Sequence, residues 1–244
     1  MGKTIVITGA GIGLGRALAR RFARDGETTI LLGRTFAKVQ AAAEELGAPH
    51  FAVECDVGSA DSVRKAFAAI AERHPKIDVL INNAAVYEPF MVADATDDQI
   101  LTIMNTNFAG PIFTCRAAIP MMERGGCIIN VSSESVADEF PMLSLYQSTK
   151  AGLERFTQSL SDELDPAGIR VTTVRAGKMW EEGKGSNWPA EAAMRFAELC
   201  AEKGKGMMSQ AISHVDSLPG IFRALIDLPP DVRVTHASVE ARRP

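Results

Sequence analysis

Short β-branched segments alternate with longer segments of helical periodicity along almost the whole of the 244-residue chain. Strand-like runs are predicted at Thr4–Thr8, Thr28–Leu32, Phe51–Cys55, Val79–Asn82, Cys127–Val131, Ile169–Val174 and Val232–Val239. Between them, apolar residues recur every three or four positions, as in Leu14, Leu18 and Phe22, or Val63, Phe67 and Ile70. Leu153, Phe156, Leu160 and Leu164 form a third such row. A strand that returns parallel to its predecessor needs a crossover long enough for a helix, so the alternation predicts βαβ units and a parallel sheet. Ile5–Ile7 and Ile128–Val131 are near-continuous apolar runs, as in strands covered on both faces. Right-handed crossovers then give an α/β, doubly wound parallel sheet of about seven strands with helices on both faces.

The strand ending at Thr8 runs into Gly9-Ala10-Gly11-Ile12-Gly13-Leu14-Gly15 and then a helix. A strand, a glycine turn and a helix N-terminus make an anion site, because free backbone N–H groups and the helix dipole face one point. Glycines allow close approach of a pyrophosphate that a Cβ would hold off. The spacing fails both Gly-x-Gly-x-x-Gly and a Walker loop, but it fits Thr-Gly-x3-Gly-x-Gly. In this the chain resembles the ordinary single-domain branch of the short-chain dehydrogenase/reductase family. The likeness covers roughly the first 175 residues and continues more loosely to the end. Ile12 violates the pattern of the extended, epimerase-containing branch.

The resemblance implies a Rossmann-type fold, one NAD(P)-binding domain over residues 1–244, and a nicotinamide cofactor. Thr8, Gly9, Gly11, Ile12, Gly13 and Gly15 are then cofactor-binding. Gly33-Arg34 closes the second strand where an NAD enzyme usually carries a carboxylate for the ribose 2′-OH. Arg34 can instead meet a 2′-phosphate through a charge-assisted bond. NADP(H) is therefore favoured, with NAD(H) as the alternative. Asp56-Val57 resembles the family pair at the adenine. Asn82-Asn83-Ala84-Ala85 resembles Asn-Asn-Ala-Gly, which places Asn83, Ala84 and Ala85 against the cofactor.

Tyr146 and Lys150 are four residues apart, hence on one face of a helix. A tyrosine can deliver a proton to a carbonyl oxygen as hydride arrives, and a neighbouring ammonium lowers its pKa. Both residues are also expected to touch the cofactor. By resemblance, Ser133 orients the substrate oxygen, with Ser132 as the competing choice. Asn107, with Asn105 as the fallback, holds a helix kink and a water leading to Lys150. The implied reaction is hydride transfer between NADP(H) and a carbonyl or alcohol substrate, with Tyr146 as acid/base. A nicotinamide-binding regulatory protein without turnover, or an isomerase using the same pair, stays open.

The chain departs from the family after the sixth strand. Arg175-Ala176-Gly177-Lys178-Met179-Trp180-Glu181 stands where Pro-Gly and then a nicotinamide-contacting Thr are usual. Ala176, Gly177 and Met179 remain cofactor-binding candidates through their backbone, while Glu181 puts the nicotinamide clamp in question. Residues at about 177–213 break the strand–helix rhythm and are expected to form a lid containing a helix over Glu191–Glu202. Its Met179, Trp180, Trp188, Met194, Phe196, Met207 and Met208 suit either a partly apolar ligand or packing onto the body.

Composition narrows the partners. A net charge of −4 offers no concentrated basic face for nucleic acid or an anionic membrane. No apolar run approaches the roughly 18 residues that span a bilayer. Cys55, Cys115, Cys127 and Cys200 have neither zinc nor disulfide spacing, and the four histidines suggest no metal. With no leader pattern before the first strand, a cytoplasmic protein acting on a small molecule is expected. The resemblance implies a homo-oligomer, dimer or tetramer, although the C-terminal Pro229-Pro230 region lacks the usual tetramer ending.

Overall fold

The computed structural model describes residues 2–183, 185, 188–206 and 211–242. Its first half is strand and helix in turn: β1 (Thr4–Thr8), α1 (Gly13–Arg24), β2 (Thr28–Gly33), α2 (Phe36–Leu46), β3 (Phe51–Glu54), α3 (Ala60–Arg73) and β4 (Val79–Asn82). Then α4 (Asp97–Met104), a π-helical turn over Asn105–Ala109 and α5 (Gly110–Ala118) lead to β5 (Cys127–Ser133). Helix α6 (Ser144–Leu164) leads to β6 (Arg170–Ala176). There follow β7 (Met179–Trp180), α7 (Ala190–Glu202), β8 (Ser213–His214), α8 (Pro219–Ile226) and β9 (His236–Val239).

Seven strands form one parallel sheet in the order β3-β2-β1-β4-β5-β6-β9. Neighbouring residues of a strand point to opposite faces, so each continuous apolar run feeds two cores. Ile5, Ile7 and Leu31 pack with Leu14, Leu18 and Phe22 of α1 and Phe222 of α8. Val6, Ile30 and Leu32 pack on the other face with Val63, Phe67 and Ile70 of α3 and Leu160 of α6. Each such fully buried side chain contributes about 1.5–3 kcal/mol. The winding reverses between β1 and β4, and that switch point leaves a crevice beyond the carboxyl ends of the strands.

Three local features differ from expectation. The last strand is His236–Val239 rather than Val232–Val239. It is a sheet edge, and at residue 234 the ladder gives way to a side chain, with Thr172 Oγ1 donating to the Val234 carbonyl at 2.7 Å. β5 and β6 run further than anticipated because Ser132 pairs with Arg175 and Ser133 with Ala176. Finally, β7 and β8 pair in parallel as a separate two-stranded sheet that joins the start of the 177–213 segment to its end. Met207 and Met208, assigned to the lid, lie outside the described residues, as do the chain's terminal residues 1, 243 and 244. Among the described residues no helix is long and apolar enough to cross a membrane.

Candidate active site

At the switch point the glycine turn is held from both sides. Gly9 and Gly13 have φ of 65° and 60°, a region glycine enters without a Cβ penalty. A Cβ on Gly15 would lie 2.4 Å from the Gly9 carbonyl and 2.7 Å from Asn83 Nδ2, so α1 can approach the turn only with glycine there. Thr8 Oγ1 accepts from the N–H groups of Asn83 and Ala84 at 3.0 Å each, and Asn83 Nδ2 donates to the Thr8 carbonyl at 3.0 Å. Thr8 and Asn83 therefore staple the turn to the loop after β4. Ile12 and Ala85 are exposed, and Gly11 is partly so.

The neighbouring strand ends line the same edge. Arg34 is exposed at the end of β2. A Cβ on Gly33 would stand 2.7 Å from Val39 Cγ1, so a larger residue there requires the Val39 side chain to shift. Asp56 is half-buried and accepts from Gly58 N–H at 3.0 Å, while Val57 is buried.

Tyr146 and Lys150 lie on one face of α6, as their spacing predicts. Ser133 lies beside Tyr146, and its hydroxyl acts on the Tyr146 pKa in the downward direction. Ser133 Oγ accepts from the Ser135 hydroxyl at 2.9 Å. Ser132 faces elsewhere, donating to the Glu154 carboxylate at 2.7 Å, so the geometry separates the two serines. Asn107 is wholly buried and bonded to both backbone groups of Val86, whereas Asn105 is exposed. The kink anticipated at Asn107 is the π-helical turn.

One electrostatic expectation is reversed. Lys150 is expected to depress the tyrosine pKa, but burial pushes the Tyr146 hydroxyl up to about 12, although Ser133 acts in the lowering direction. Burial likewise pushes Lys150 down to about 8. The reason is geometric. Lys150 Nζ donates to the Val131 carbonyl at 2.8 Å and lies 5.9 Å from the Tyr146 ring centroid, over the ring. Desolvation therefore sets the direction for both groups.

Several supporting residues carried no sequence signal. Glu154, one turn beyond Lys150, accepts from Arg175 Nη2 of β6 at 2.7 Å as well as from Ser132, and so ties α6 to two strands. Beneath the sheet Thr114 Oγ1 donates to Asn82 Oδ1 at 2.6 Å and Asn82 Nδ2 to Asn130 Oδ1 at 2.8 Å. Asn130 Nδ2 donates in turn to Thr157 Oγ1 at 2.9 Å. These buried amides are paired with one another, as groups removed from water must be. Over the tyrosine, the Tyr87 ring centroid is 5.5 Å from that of Tyr146 and 5.2 Å from that of Trp188, which meets Phe196 at 5.4 Å. The lid helix thus packs onto the body by aromatic contacts.

Beyond β6, Gly177 N–H donates to the Val239 carbonyl at 2.8 Å, and Met179 packs partly buried against the core. Ala176 is the last rung of the β6–β9 ladder. Two residues past Met179, the Glu181 carboxylate accepts from Gly13 N–H at 2.8 Å and from Arg16 Nη2 at 2.5 Å. The turn's donor set therefore fits an anion: a carboxylate already occupies it. Among the described residues, no group of three or more His, Cys, Asp or Glu side chains could hold a metal ion.

Residues 3–188 match the sequence model of the family described as short chain dehydrogenase. The 3beta-hydroxysteroid dehydrogenase of Mediterraneibacter gnavus is 33% identical over 212 residues, which are 84% of this chain and 76% of that protein. Among solved structures, the alcohol dehydrogenase of Thermococcus sibiricus complexed with 5-hydroxy-NADP aligns with a TM-score of 0.82 at 26% identity, covering 100% of this chain and 99% of that one. A short chain dehydrogenase of Burkholderia cenocepacia in complex with NADP aligns with a TM-score of 0.81 at 27% identity, covering 98% and 97%.

Proposed function

The chain belongs to the short-chain dehydrogenase family, and from that premise we propose that it transfers a hydride between NADP(H) and a carbonyl or alcohol substrate, with Tyr146 as the acid/base. The observation that carries this reading is the placement of Ser133 beside Tyr146, with Lys150 buried one turn further along the same helix. A tyrosine held at about 12 is protonated at neutral pH, the state that donates to a nascent alkoxide. Ser133 orients the substrate oxygen toward it, and Lys150 supplies positive charge as the phenolate forms. Asn107 holds the loop after β4 and the proton path toward Lys150. The nicotinamide, when bound, supplies the hydride chemistry.

The turn Gly9–Gly15, Asp56-Val57, Asn83–Ala85 and the backbone at Ala176, Gly177 and Met179 would hold the cofactor, with Tyr146 and Lys150 at its ribose. An exposed Arg34 beside Gly33, which brings no carboxylate, supports NADP(H) over NAD(H). The NADP and 5-hydroxy-NADP bound by the two structural relatives support the same choice. The aromatic series Tyr87, Trp188 and Phe196 next to Tyr146 favours a substrate with an apolar or aromatic body. We take the chain as one catalytic domain with residues 177–213 as its substrate lid, and as a cytoplasmic homo-oligomer.

NADPH consumption with a panel of aldehydes and ketones tests the reading. Tyr146→Phe is expected to bind NADPH as the wild type does and to lose turnover by about 10²–10⁴-fold. Wild-type turnover in that variant, or no carbonyl reduced by the wild type, sinks it.

A further inference from the structure

Helix α1 lacks the usual means of satisfying its own N-terminus. Its N-cap residue, Ile12, makes no side-chain capping bond, and its first turn contains no acidic residue. The group that satisfies it comes from 168 positions away, where Glu181 accepts from Gly13 N–H. The same carboxylate pairs with Arg16, and its side chain is only 9% exposed. An anion, a free helix N–H and a guanidinium therefore meet at the point where the glycine turn would receive a pyrophosphate.

We propose that Glu181 is an internal stand-in for the cofactor's pyrophosphate, a latch that the dinucleotide must displace before it can occupy the turn. The inference rests on the reading of the turn as a dinucleotide site. One N–H cannot bond two anions, and two anions held by one helix end repel each other. Binding therefore exchanges the Glu181 contact for a phosphate contact and frees the Arg16 guanidinium to follow the phosphate. The latch sits one residue beyond β7, whose Met179 and Trp180 pair with Ser213 and His214.

The experiment is a titration of NADPH and, separately, NADH into the wild type, Glu181→Gln and Glu181→Thr by calorimetry, with the melting temperature of each protein taken without cofactor. Removing the charge should tighten both cofactors by a similar factor, about tenfold or more, because the pyrophosphate is common to both. It should also lower the melting temperature without cofactor, since α1 loses its anion. Affinities within twofold of wild type in both variants, weaker binding, or tightening of only one cofactor overturns the latch and leaves the dinucleotide site standing. No saturable binding of either cofactor by any of the three folded proteins overturns the dinucleotide site itself.

Discussion

Asn107 pairs with both backbone groups of Val86: its Nδ2 donates to the Val86 carbonyl at 2.7 Å, and its Oδ1 accepts from the Val86 N–H at 2.8 Å. The amide behaves like a rung of β-ladder supplied by a side chain. It is available because the π-helical turn over Asn105–Ala109 rotates Asn107 inward between α4 and α5. The loop that it clamps begins with Asn83, which holds the glycine turn.

Replacing Asn107 with Leu strips two backbone groups of partners in a wholly buried place. Each group left unsatisfied costs about 1–3 kcal/mol, so urea unfolding should show a loss of at least about 2 kcal/mol. Asn107→Asp keeps the acceptor and sets a carboxylate against the Val86 carbonyl, so it should fall between wild type and Leu only at acid pH. A Leu variant as stable as the wild type would show that the clamp is idle.

Lys150 makes stability depend on pH in a direction that can be worked out. Its pKa falls from 10.5 in the unfolded chain to about 8 in the fold. Below pH 8 both states are protonated and the fold bears the whole cost of a buried ammonium. Between about 8 and 10.5 the unfolded chain binds more protons than the native protein, so stability rises with pH. Relative to Lys150→Met, the wild type should gain up to about 3 kcal/mol across that window. The buried thiols Cys55 and Cys115, pushed up to about 12, act in the opposite direction at alkaline pH, but they are common to both proteins and cancel. A wild-type-minus-variant difference that stays flat across the window would contradict the shift.

The cofactor edge makes two separable predictions. Arg34 is exposed and its removal should leave folding unchanged, yet NADPH should lose the charge-assisted bond to its 2′-phosphate. A bond of about 1.5–3 kcal/mol corresponds to roughly a 10- to 100-fold rise in Kd for NADPH, with NADH little affected. Gly33→Asp, the change that would import an NAD-type carboxylate, should instead cost about 1–3 kcal/mol of stability, because the new Cβ meets Val39 at 2.7 Å. Equal effects of Arg34→Ala on both cofactors would remove the case for NADP(H).

What the sequence made legible was local. The strands, the three apolar helix rows and the turn Gly9–Gly15 follow from spacings of a few residues, and the face shared by Tyr146 and Lys150 follows from one helical turn. Ser133 and Asn107 came only through family resemblance, and the structure distinguishes each from its neighbour by burial and bonding. The contacts that spacing does not encode are long in sequence. Glu181 meets Gly13 across 168 positions, and Ser132, Glu154 and Arg175 meet only once β5, α6 and β6 are packed. The reversed pKa shifts depend on which way the Lys150 ammonium points, which no spacing encodes. The pairing of β7 with β8 rests on two residues a side, too few for any periodicity.

Trp188 is where lid packing and substrate contact can be told apart. Its indole N–H donates to the Tyr87 carbonyl at 3.0 Å and its ring meets Tyr87 edge-on, while Tyr87 leans on Tyr146. If these contacts only fasten the lid, Trp188→Phe, which keeps a ring and loses the donor, should lower the melting temperature and leave KM for all carbonyl substrates alike. If the indole forms a wall for the substrate, Trp188→Ala should raise KM about tenfold or more for aromatic and long-chain carbonyls and spare small ones, the NADPH Kd staying fixed. An aromatic pair contributes about 0.5–1.5 kcal/mol beyond its buried area, so a tenfold change lies within reach of one lost ring contact. The wall is the outcome expected, because the aromatic series ends on the ring of the proposed acid and places its faces beside the reacting oxygen's donor. Uniform KM values across the panel in Trp188→Ala would reduce the series to a fastening.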